Sequence, residues 1–133
     1  MAKGQLGMEF SMTVASAVIV FASLLYIAGG VKDTLEDSSA RIAAVSVGQR
    51  TVMAVDALMR DACGFKCSTT IIMPRRLDSM GRSLDYNVTF SGSKVVVGYG
   101  EGSAAVESGR PLGALLLETR TQGNGKILVI NYE

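Results

Sequence analysis

FSMTVASAVIVFASLLYIAGGV, Phe10 to Val31, is a run of 22 residues without a single charge. Coiled as a helix it measures about 33 Å, and the hydrocarbon core of a bilayer is about 30 Å thick. A helix buried in a soluble core normally keeps a polar stripe. The only interruptions here are small: Ser11, Thr13, Ser16, Ser23, Gly29 and Gly30. The run therefore reads as a membrane-spanning helix. Its flanks orient it. Lys3 and the amino terminus stand before it, Lys32 after it. Asp33, Glu36 and Asp37 count little in the positive-inside rule. The N-terminus is expected inside and the remainder of the chain outside. A secretory signal is the competing reading, since Ala28-Gly29-Gly30 is small enough for a cleavage site. The run is long for such a signal, whose apolar region spans about 7–15 residues.

The rest of the composition narrows the function. The chain has 133 residues, enough for one ordinary domain, with 13 Lys+Arg against 12 Asp+Glu and a net charge of +1. That balance does not describe a nucleic-acid binder. Pro74-Arg75-Arg76 is the one small basic cluster, and two loop arginines are more often solvated. Histidine is absent, which removes the commonest general base and metal ligand and every His-dependent triad. No phosphate-binding G-x-x-x-x-G-K-[ST] loop is present. Neither a catalytic constellation, nor a cofactor, nor a metal site is expected.

The residues ahead of the apolar run are MAKGQLGMEF. The basic-glycine pair Lys3-Gly4, the glutamine Gln5 and the acid-aromatic pair Glu9-Phe10, leading straight into the apolar helix, resemble the class III signal peptide of archaeal type IV-like pilins. The resemblance is close over about ten residues and continues in character over the next fifty. In that family a prepilin peptidase cuts on the cytoplasmic side, after the glycine. The corresponding bond is Gly4–Gln5, which makes Gln5 the first mature residue and Glu9 the fifth. Gly7 stands where the family often has serine. Related archaellin leaders usually lack the glutamate, so Glu9 argues for a pilus. A carboxylate at the hydrocarbon edge costs several kcal/mol unless it is paired. Taken alone, Glu9 reads as a solvated acid among headgroups. The resemblance implies instead a pairing with the α-amine of a neighbouring subunit, setting register during assembly.

From Lys32 to Cys63 the chain still reads helical, proline-free and rich in Ala, Val and Arg. Leu35 and Ile42 form one seven-residue series, Val45, Val52 and Met59 a second, and Gly48, Val55 and Ala62 a third. The last two make a narrow seam, expected to pack mostly on the chain's own sheet. Gly48 weakens the helix by about 1 kcal/mol, and invites either a close approach or local melting. A break, if there is one, would fall at Gly29-Gly30.

Beyond Cys63 strands and turns take over. Leu84, Tyr86, Val88 and Phe90 alternate with polar residues, Ser91-Gly92-Ser93 turns the chain, and Lys94–Tyr99 returns. Thr69–Met73, closed by Pro74, is a further short strand. Leu112–Arg120 and Ile127–Tyr132 flank Gly123-Asn124-Gly125, a hairpin signal. The stretches around Gly100-Glu101-Gly102-Ser103 and Ser108-Gly109-Arg110 read as loops. Cys63 and Cys67 are spaced C-x3-C at the helix end. Outside a cell a disulfide is the default; half of a metal site and two free thiols are the alternatives. Asn87-Val88-Thr89 is an N-glycosylation triplet on the polar side of a strand, a weak signal taken alone.

The expectation is an α+β chain: a leader at 1–4, a long helix over 5–63 that is apolar at 10–31 and amphipathic at 32–63, and an extracellular β-rich domain of four or five antiparallel strands over 64–133. The resemblance implies a structural, non-enzymatic filament subunit, first in the cell membrane and then at the surface, serving adhesion or motility. Its partners would be itself, prepilin peptidase and the pilus assembly machinery, with no nucleic acid. Two alternatives stand beside it. One is a membrane-anchored accessory protein, such as a minor pilin, a pseudopilin or a stator-like component. The other is a secreted β-rich binding domain.

Overall fold

The computed structural model describes the backbone of residues 2–60 and 66–132, and the side chains of 7–60 and 66–132. Among the described residues one helix, α1 (Ala2–Arg60), precedes eight strands: β1 (Cys67–Pro74), β2 (Leu77–Ser79), β3 (Arg82–Leu84), β4 (Tyr86–Ser91), β5 (Lys94–Tyr99), β6 (Gly102–Glu107), β7 (Leu115–Gln122) and β8 (Gly125–Tyr132). The α+β class is as expected. The chain forms two compact units, Met1–Glu36 and Asp37–Glu133. The helix runs through Gly29-Gly30 without a break, and Arg60 in its last turn complements the negative end of the dipole.

All pairings are antiparallel and fall into three sheets, ordered β1-β8-β7, β2-β3 and β4-β5-β6. Three of the eight strands were not legible as such. The alternating run from Leu84 divides at Asp85, whose carboxylate accepts from Arg76 Nε at 3.0 Å, so Leu84 closes β3 and Tyr86 opens β4. The two-residue turn Met80-Gly81 joins β2 to β3 with φ of 46° and 83°. Positive φ at both positions is the signature of a type I′ hairpin. The stretch at Gly100 to Ser103 is a loop only in its first half. Gly100, at φ 49°, opens a two-residue turn, and Gly102 already begins β6. Toward the C-terminus, Leu112 is not in a strand. Its N–H donates to Gly92 O at 3.0 Å and its carbonyl accepts from Leu115 N at 3.0 Å, which seats the side chain in the core and starts β7 three residues later.

The core of the second unit lies between the C-terminal half of α1 and the inward faces of the sheets. Ala40, Ala44, Val47, Val55 and Leu58 meet Met73, Leu77, Tyr86, Val88, Val95, Val97, Tyr99, Ala104, Leu112, Leu115, Leu128 and Ile130. The buried helix stripe passes through Gly48 and Thr51 as well. Thr51 satisfies its hydroxyl by donating to Val47 O at 3.0 Å. The expected seam is buried or half-buried: Gly48 and Val55 are buried and Val45, Val52 and Met59 half-buried, while Ala62 lies outside the described residues. Leu35 and Ile42, the separate seven-residue series, are exposed. Small residues line the true contact because the backbones come close: a Cβ on Gly48 would stand 2.6 Å from Val106 Cγ2. Gly48 thus serves close approach by β6 of its own chain.

Candidate functional site: an exposed apolar helix

In the first unit the residues from Gly7 to Leu35 are all exposed. That surface is oily. Phe10 is 71% exposed, Ile19 67%, Phe21 64% and Tyr26 85%. Exposed apolar residues scattered singly need no explanation, whereas a contiguous apolar surface of this length marks an interaction with lipid or protein. Among the described residues this is the one helix long and apolar enough to cross a membrane.

The polar groups within the run are handled locally. Thr13 Oγ1 donates to Glu9 O at 2.9 Å, Ser16 Oγ to Met12 O at 2.8 Å, and Ser23 Oγ to Ile19 O at 2.8 Å. Each hydroxyl reaches back one turn to a carbonyl already in the helix ladder. In hydrocarbon an unsatisfied donor costs several kcal/mol, so these bonds remove the main penalty for burying Ser and Thr in lipid. Past the run, Thr34 repeats the pattern onto Gly30 O at 3.0 Å, and Lys32 faces Glu36 at 3.8 Å, a spacing of one helical turn. The charged boundary of the apolar segment is therefore set at Lys32, as its sequence indicated.

Glu9 and Phe10 both sit on this exposed surface, adjacent at its start. Gly4 and Gln5 fall in the first turns of α1, and the Gln5 side chain lies outside the described residues. Cys67 opens β1, half-buried; Cys63, its expected partner, lies outside the described residues. Asn87 is exposed on β4.

The second unit holds one polar cluster of note. Tyr86 Oη donates to Pro74 O at 2.6 Å, Lys126 Nζ lies 4.2 Å from the centre of the Tyr86 ring and donates to Tyr86 O. Burial pushes the Tyr86 phenol up and the Lys126 ammonium down, the latter opposed by the nearby Asp85 carboxylate. The arrangement ties β1, β4 and β8 together across two sheets. Sequence reading did not find it, because a lysine at the end of an alternating strand carries no local sign of an aromatic partner 40 residues away. Among the described residues no group of three His, Cys, Asp or Glu converges.

Comparison with family models, with characterised proteins and with solved structures finds no match. What stands is a class: a chain with a long apolar N-terminal helix suited to a membrane, followed by an antiparallel β unit.

Proposed function

We propose that this chain is a structural subunit of an archaeal type IV-like pilus. The observation that carries the reading is the exposed, uncharged surface of α1 from Phe10 to Val31, directly preceded by Glu9 and by Lys3-Gly4. In this reading the precursor sits in the membrane with its N-terminus inside. Prepilin peptidase cuts Gly4–Gln5, and the assembly machinery draws the helix out of lipid into a bundle of sister helices. Glu9 meets the freed α-amine of a neighbouring Gln5. The β unit lies outside, where the chain's two cysteines, Cys63 and Cys67, join as a disulfide. The protein works by packing rather than by catalysis, and the filament serves adhesion or motility.

The deciding measurement is the N-terminal residue and intact mass of the protein recovered from cells and from sheared surface fibres. A start at Gln5 in fibres supports the subunit reading. Intact leader in membranes without fibres overturns it in favour of an anchored accessory protein that uses the same helix. A soluble product starting after Gly30 makes the chain a secreted β domain.

A further inference from the structure

The filament reading leaves Asn87-Val88-Thr89 unused. On β4 the strand parity divides the triplet: Val88 is buried, while Asn87 and Thr89 stand on the outer face. Across the ladder Asn87 faces Gly98 of β5, and beyond Gly98 lies Ser103 of β6. The next row is Thr89, Val96 and Ala105. The outer face around Asn87 is thus a shelf of small side chains. The Asn87 amide turns its oxygen toward Gly98: a Cβ at position 98 would stand 2.4 Å from Oδ1 and 3.9 Å from Nδ2, so the nitrogen is the end held farther from the strand. Beside it opens a shallow groove of about 320 Å³ lined by Asp85, Tyr86, Asn87, Gly98 and Gly100. The glycine opposite, the groove beside it and the place on an edge strand together leave room for a bulky group at Asn87.

We propose that Asn87 carries an N-linked glycan whose first sugar rests on the Gly98 shelf and in the adjoining groove. The donor is a sugar carried on a polyprenyl phosphate. Asn87 Nδ2 forms a bond to the anomeric carbon of that sugar and gives up one proton. The bond from the anomeric carbon to the phosphate oxygen breaks, and the lipid phosphate leaves with its electron pair; no oxidation occurs. The glycan is bulky and solubilising. On β4, an edge strand of its sheet, it also obstructs strand pairing with a second chain. The assignment rests on the β unit lying outside the cell, but not on filament formation.

The test is peptide mass mapping of the protein isolated from the cells that make it, with the N-terminus read on the same sample. The expected result is a tryptic peptide 83–94 that bears a sugar mass placed on Asn87 by fragmentation. Thr89→Ser is expected to keep the modification, and Asn87→Gln and Thr89→Ala to lose it. Thr89→Ala preserves Asn87 over Gly98, so it serves if Asn87→Gln does not accumulate. Unmodified peptide 83–94 overturns the glycan, and if that sample starts at Gln5 the filament reading survives. A glycosylated chain starting after Gly30 supports the glycan and overturns the filament.

Discussion

Two single positions carry unusual weight. Met80 holds φ at 46° in the β2–β3 turn with its side chain exposed. A residue with a Cβ in the left-handed region costs about 1–2 kcal/mol, and asparagine tolerates that region better. Met80→Asn is expected to raise stability by about 0.5–1 kcal/mol, measured as a shift in the denaturant midpoint. Gly48 is the opposite case. Alanine would favour the helix by about 1 kcal/mol. Its Cβ, however, would press on the stiff, branched Val106, and overpacking of this kind costs about 1–3 kcal/mol. Gly48→Ala is therefore expected to destabilise the β unit, and the double variant with Val106→Ala to recover part of the loss. Gly48 could be singled out in the sequence as a weak point in a helix. What approaches it could not, because β6 opens with Gly102, Ser103, Ala104 and Ala105, so that Val106 is its one branched residue and no alternating strand signature marks it.

At the scale of elements, the apolar run and the alternating strands were legible, and the helix's buried face was legible in part. Periodic reading follows seven-residue spacings, which found Gly48 and Val55 but passed over Ala40, Ala44, Val47 and Thr51. The observed contact uses Ala40, Ala44, Gly48 and Thr51, since small residues are what a close helix–sheet approach requires. The bond from Tyr86 to Pro74 makes a prediction of its own. The folded phenol titrates above its ordinary value of 10.0. Between that value and the folded one, the native state holds a proton that the unfolded chain has lost, so stability falls as pH rises above about 10. Lys126 acts in the reverse sense below 10.5, where its depressed folded value makes stability rise with pH. Tyr86→Phe is expected to cost about 1 kcal/mol at neutral pH and to remove the alkaline fall, read from urea midpoints across pH 8–11. Within α1, Val20→Asp is expected to oppose membrane insertion by about 2.5–3.5 kcal/mol, seen as a shift from the membrane to the soluble fraction.

For the whole molecule, the division at Glu36 separates an oily segment from a unit with a complete core. A chain starting at Asp37 is expected to be soluble without detergent and to keep the sheet signal in circular dichroism. Loss of that signal would mean that the first 36 residues contribute to folding of the second unit. Ile42 and Met53, at 70% and 69% exposure, lie in that second unit but outside its core. Under the proposed filament reading, Ile42→Glu is expected to leave the thermal midpoint of the Asp37 fragment unchanged while reducing the yield of sheared fibres. Unchanged fibre yield would remove this part of α1 from subunit contacts.

Thr13, Ser16 and Ser23 spend their hydroxyl protons inside their own helix. A segment that answers its polar needs internally presents no unmet hydroxyl donor at these positions to whatever oily surroundings cover it. At these hydroxyls, lipid tails and the apolar side chains of a neighbouring helix would meet the same satisfied groups. Moving such a segment from one to the other would break and make no hydrogen bond at these three positions.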